Sequence, residues 1–308
     1  MKRMKSLYIA GCGLCAALLA AGCSEEALTP SHEYRYDTFM PDPAAQDSTS
    51  ILRREFYAET GSYLLFNDTL QHRFLGYDYN DNEVYFTEVL DIGYITGATT
   101  NTRSMYEYVL LDGLEEQKQA LAFLESYVLP HLSSTLKPFS WLLVKDISGE
   151  PAGAYDGTRV YPDAVSGERC VAVDCGYVLK NSDESLLEAY TQRVMNIFLS
   201  DILLDRWSEF GDFRALSQSY YGGTFEYANE ADNTRILREA GFLVKGKNSK
   251  GELASGCYPS YEDDLATYIT YALLLDDELI EASYGQYPVV MEKFLIYKEI
   301  LKNLGYVF

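Results

Sequence analysis

The segment NSDESLLEAYTQRVMNIFLSDILLDRW, Asn181 to Trp207, limits what this chain can fold into more than any other. Asn181, Ser182 and Asp183 each offer an N-cap, and Glu184 stands three residues after Asn181, the spacing of a capping box. Leu187, Tyr190, Val194, Ile197, Phe198 and Leu204 recur at helical spacing, which predicts a long amphipathic helix with one face against a core. Gln192, Arg193, Asn196 and Ser200 fall on one flank of that stripe, so a polar cluster sits beside the buried face rather than opposite it.

The chain has 308 residues, 47% of them apolar, enough to bury a substantial core in one large domain or two small ones. Its formal charge is −21, and removing residues 1–22 takes away Lys2, Arg3 and Lys5 and no acid, which brings it to −24. Such a field repels phosphate backbones, and with no basic patch in the sequence nucleic acid is excluded as a partner. Solubility alone accounts for an acidic surface.

Lys2, Arg3 and Lys5 form a basic start, and the apolar run Leu7 to Ala21 is too short to span a bilayer, so residues 1–22 read as a secretory signal peptide. The run ends in Leu19-Ala20-Ala21-Gly22-Cys23, which resembles a bacterial lipobox with Cys23 as the lipidated residue. Ser24-Glu25-Glu26 then resembles the export signal that sends some lipoproteins to the outer face of the outer membrane. A lipid-anchored, surface-exposed outer-membrane protein is the expectation. Cys170, Cys175 and Cys257 stay with the folded domain, where an odd count permits one disulfide and one free thiol. Cys170 and Cys175 are five apart, so on a strand they point to opposite faces and cannot share a metal; burial is expected for all three.

Residues 23–50 are acidic, contain Pro30, Pro41 and Pro43 and show no apolar period, so they read as a tether, with the domain at 51–308. Ile51 to Phe56 predicts a helix, Ser62 to Asn67 a strand, and Gly76 to Asn82 a turn that falls short of a calcium loop. Helices are expected from Asp112 to Leu129 with Leu114, Ala120, Leu121, Leu124 and Val128 inward, at Asn233 to Ala240, from the Ser260 capping box to about Leu275, and from Pro288 to Leu304. Phe139 to Ile147 and Cys170 to Val178 are continuous apolar runs of strand length. The order predicts an α+β fold, an α/β lobe at 51–180 followed by a helical lobe at 181–308.

From Ile51 to Phe308 this layout resembles the zinc metallopeptidase lipoproteins that accompany TonB-dependent nutrient importers, a zincin-like family whose central helix carries HExxH. The likeness rests on the lipobox with its acids, Leu52-Arg53-Arg54-Glu55-Phe56, the strand at Trp141 to Val144, Glu239-Ala240-Gly241-Phe242, the acidic helix start Glu262-Asp263-Asp264-Leu265-Ala266, and the last helix. The resemblance implies a zincin-like fold and a place in nutrient import beside a TonB-dependent transporter or its surface lipoprotein.

The motif itself is degenerate. Two histidines one turn apart would hold zinc and the glutamate between them would take a proton from metal-bound water. Here Gln192 and Asn196 stand at the histidine positions and Arg193 at the glutamate. Amides are poor zinc ligands, and a guanidinium stays protonated and repels a divalent cation. Of the three histidines, His32 lies in the tether, and His72 and His131 read as surface or capping residues. No catalytic residue, metal or cofactor is therefore assigned, and Gln192, Arg193, Asn196, Asp263 and Asp264 are the residues of a vestigial site. The three on the central helix read first as a satisfied polar patch and second as ligand-binding; for Asp263 and Asp264, charge at a helix N-terminus is the simpler role. The expectation is a non-catalytic accessory protein that binds peptide, glycan or an importer component. The alternatives are a hydrolase with a carboxylate-based site, drawing on Glu188, Asp201, Asp263 and Asp264, and a structural subunit of an import assembly.

Overall fold

The computed structural model describes residues 37–94, 104–150 and 158–308. The expected signal peptide, the expected lipobox with Cys23 and the expected tether up to residue 36 lie outside the described residues, as does the side chain of Leu204. The compact unit runs from Thr38 to Phe308, so packed structure begins upstream of the expected Ile51. The reason is Phe39, which is buried and packs edge-on against Phe139 at 5.0 Å. Arg53 fixes this stretch by donating to the carbonyl oxygens of Phe39 (2.6 Å) and Leu64 (2.7 Å). Helix α1 (Ser48–Thr60) is capped by Asp47, which accepts from Ser50 N, and stopped by Gly61 at φ 75°.

The central element is a four-stranded sheet in the order β1 (Tyr63–Leu65), β5 (Ser140–Val144), β8 (Val171–Asp174), β7 (Ala164–Ser166). The first two pairings are parallel and the last antiparallel. Every residue of β5 is buried, as expected of a strand covered on both faces. Trp141 and Leu143 face the main core, while Leu142 and Val144 face a smaller one with Phe39, Leu65, Ile92 and Ile147. Cys170 falls in the smaller core and Cys175 in the main one, so the expected opposition across the sheet is met. All three described cysteines are free, and Cys257 is half-buried rather than buried.

Phe139 to Ile147 is not one strand. It breaks at Lys145 into β5 and β6 (Asp146–Glu150), and β6 pairs antiparallel with β4 (Met105–Val109). Lys145 anchors the break: its amide donates to Val109 O at 2.7 Å and its ammonium meets Asp112 at 2.6 Å and Glu116 at 2.9 Å. A hairpin of β2 (Thr69–Tyr77) and β3 (Glu83–Val89) stands outside the sheet. The turn expected at Gly76 to Asn82 closes it, with the Asp78 carboxylate accepting from the amides of Asn80 (2.7 Å) and Asn82 (3.0 Å).

Helix α2 (Gly113–Phe123) continues into a π-helical turn, Leu124–Val128, and then into a 3₁₀ turn, Leu129–His131, that carries Pro130, so the proline tightens the run and does not stop it. The remaining helices are α3 (Glu184–Asp205), α4 (Gly211–Ala215), α5 (Glu230–Glu239), α6 (Tyr261–Leu274), α7 (Asp277–Tyr284) and α8 (Pro288–Leu304). The fold is thus a mixture of helix and strand, a small mixed sheet with helices packed on it. The main core draws on both halves of the chain, from Phe56 and Leu64 to Tyr297 and Tyr306, so residue 180 does not divide two separately cored lobes.

Candidate functional site

The central helix starts at Glu184, later than Asn181, because Asp183 is the working cap: its Oδ1 accepts from the amides of Ser185 (3.0 Å) and Leu186 (3.3 Å). Asn181 is engaged elsewhere, its amide donating to Tyr177 O at 2.8 Å. The buried arc is wider than the expected stripe. Met195, Leu199 and Leu203 join Leu187, Tyr190, Val194 and Phe198 inside, and Ile197 is only half-buried. α3 contacts α6, β7 and the π-helical turn, so more than one face is covered.

The five vestigial-site residues do not share one centre. Arg193, at the glutamate position, donates through Nε to Asp163 Oδ2 at 2.7 Å, and its guanidinium lies over the rings of Tyr190 (4.9 Å) and Tyr177 (5.3 Å). The hydrogen bond to Asp163 is the main cause that holds its pKa above the usual arginine value. The arginine does not fill a buried cleft, since its side chain is 45% exposed. Asn196 Oδ1 accepts from Thr270 Oγ1 of α6 at 3.4 Å. Asp263 pairs with Lys247 at 2.7 Å while its amide takes the Ser260 cap.

Asp264 does more than place charge at a helix start. It is 1% exposed and forms an ion pair of 2.6 Å with Lys293 of α8, itself 0% exposed. The Tyr221 hydroxyl donates to the same carboxylate oxygen at 2.9 Å. The ammonium sits 4.6 Å from the ring centre of Phe213 and 4.7 Å from that of Phe242, with Tyr268 and Tyr221 further out. Burial pushes the Asp264 carboxyl up to about 6, Lys293 offsetting part of the shift, and burial likewise lowers the Lys293 ammonium. This pair joins α6 to α8 inside the core. Among the described residues no three His, Cys, Asp or Glu side chains gather as a metal site.

Two of the five line cavities, and different ones: Asp263 borders a pocket of about 360 Å³ with Lys247, Thr267 and Thr270, and Gln192 a larger one. A cleft of about 600 Å³ runs between the first half of α3, the turn after α2, the junction of α6 and α7, and the end of α8. Glu184, Glu188 and Gln192 line one side at i, i+4 and i+8. Lys298 and Lys302 of α8 also line it, again one turn apart. Its aromatic wall holds Tyr306 and Phe308, fixed where Val307 N donates to His131 O (2.9 Å) and His131 Nδ1 donates to Val307 O (2.7 Å). His131 also stacks on Tyr306 and so has a fastening role, and His72 sits on the exposed hairpin, bonded to Thr87 and stacked on Tyr85. Sequence reasoning missed Glu184, Lys298 and Lys302 as site residues. Their one-turn spacing on the polar flanks of two helices was the available signal, but only the tertiary arrangement turns both stripes to one space. Compared with protein-family models, curated proteins and solved structures, the chain gives no significant match.

Proposed function

We propose that this chain is a lipid-anchored protein of the outer-membrane surface, built on a zincin-like scaffold, that binds a ligand without hydrolysing it and serves a TonB-dependent import system. The lipobox ending at Cys23 and the acids after it support the anchor and its placement. The order of elements around the long central helix supports the scaffold. The observation that carries the non-catalytic reading is the engagement of Arg193: where a proton acceptor would stand, a permanent cation is held by Asp163 and two tyrosine rings. A hydrolytic site built on Asp263 and Asp264 finds no support, because these two carboxylates are committed to Lys247 and Lys293.

The test is elemental analysis and peptide hydrolysis by the full-length protein purified in detergent, with mass spectrometry of its N-terminal peptide. Expected are no stoichiometric zinc, a melting temperature indifferent to chelator, no turnover, and acylated Cys23. One tightly held zinc per chain with chelator-sensitive peptidase activity overturns the non-catalytic reading; an unmodified Cys23 in membranes overturns the anchor.

A further inference from the structure

The cleft carries free charge of both signs. On α3, Glu184 and Glu188 lie one turn apart, a rise of about 6 Å, and neither has an ion-pair or hydrogen-bond partner among the described residues. On α8, Lys298 is already matched by Asp277 at 2.5 Å. Among the described residues Lys302 forms no direct ion pair, although, after the hydrogen bond from Lys298, its charge helps hold the Asp277 carboxyl below the usual carboxylate range, and its ammonium rests 5.7 Å from the ring of Phe308. Asp276 is spent on capping α7, accepting from Leu279 N at 2.7 Å. Among the described residues the cleft therefore presents Glu184 and Glu188 without a partner, Lys302 without a direct ion pair, and the aromatic surface of Tyr306 and Phe308. Its volume is in the range that holds small molecules.

A ligand with one charge leaves half of this arrangement unanswered. A diamine would satisfy Glu184 and Glu188 but bring a second ammonium towards Lys302; a dicarboxylate would satisfy Lys302 and oppose the glutamates. An ammonium and a carboxylate joined by an aliphatic chain answers both and lays its methylenes on aromatic rings. We propose that the cleft binds ω-amino carboxylates, the ammonium at Glu184 and Glu188, the carboxylate at Lys302 and the chain along Phe308. This rests on the non-catalytic binding reading above.

The test is calorimetry at low salt on the full-length protein in detergent, with ε-aminocaproate, cadaverine and glutarate as probes. ε-Aminocaproate is expected to bind at least about ten-fold more tightly than either of the others. Glu188→Lys should weaken it by a similar factor, and Lys302→Glu should reverse the preference towards cadaverine, with both variants folded because both side chains are on the surface. Equal binding of all three probes, binding of none, or a preference unmoved by either substitution overturns the proposal. Zinc-dependent hydrolysis would defeat the non-catalytic reading while leaving this probe series interpretable, whereas failure of the probes in a zinc-free protein defeats the ligand assignment alone.

Discussion

Replacing Lys293 by Met removes the cation from the aromatic cage while keeping a flexible chain of similar reach. The Asp264 carboxylate is then left 1% exposed, with only the Tyr221 hydroxyl to answer it. Its Oδ1 has no hydrogen-bond partner even in the intact protein. Removing one member of a buried pair costs about 3–5 kcal/mol, against a typical total stability of about 5–15 kcal/mol. At about 2–4 °C per kcal/mol for a domain approaching this size, Lys293→Met should lower Tm by about 10 °C. The double variant Lys293→Met, Asp264→Leu carries no buried charge and should return to within about 1 kcal/mol of the parent or exceed it. The penalty also has a sign in pH. A carboxyl whose folded pKa stands above its unfolded value makes the folded state the better proton binder, so stability is highest in acid and falls as pH rises through that window. Asp264 is already raised to about 6 with Lys293 present and moves further up without it, so the gap between variant and parent should narrow as pH falls from about 7 to 4. Urea unfolding of the three proteins across that range measures all of this. A single variant within about 1 kcal/mol of the parent, or a double variant less stable than the single, refutes the reasoning.

Asp174 is also pushed up to about 6, chiefly by burial, so Asp174→Asn, which keeps an acceptor for Gly176 N, should gain stability relative to the parent as pH rises from about 4 to 7 in urea midpoints. Gly241 has φ 88°, and an added Cβ would lie 2.6 Å from Val289 Cγ1 and 2.8 Å from Ser217 Oγ; Gly241→Ala should cost about 2–4 kcal/mol by thermal unfolding. Arg193→Ala removes a half-exposed ion pair and two ring contacts, and should cost no more than about 1–2 kcal/mol. Arg193 does not line the cleft, so calorimetry on that variant should find ε-aminocaproate binding unchanged.

Where local chemistry decides structure, the sequence was readable. Helix α8 has the expected limits because proline opens it and Gly305, at φ 103°, closes it; α6 starts at the expected Ser260 cap. Where tertiary packing decides, it was not. Three adjacent caps preceded α3, and only the bond from Asn181 to Tyr177 O leaves Asp183 in command. The break at Lys145 depends on β4, distant in sequence, offering Val109 O. Phe39 lies in a proline-bearing acidic stretch with no period to mark it, yet it fills a place beside Phe139. Lys293 could have been noticed, standing among Val290, Phe294, Tyr297 and Leu301 on the buried face of α8. Nothing in the spacing tied it to Asp264.

Strand β5 alternates between the two cores, Trp141 and Leu143 on one side and Leu142 and Val144 on the other. Neither core can open without baring a wall of the other, so local fluctuation on one side is resisted by burial on both. Its amides, paired to β1 and β8, should therefore exchange with solvent only through global opening and report the full unfolding free energy, whereas those of the free hairpin exchange through small local excursions.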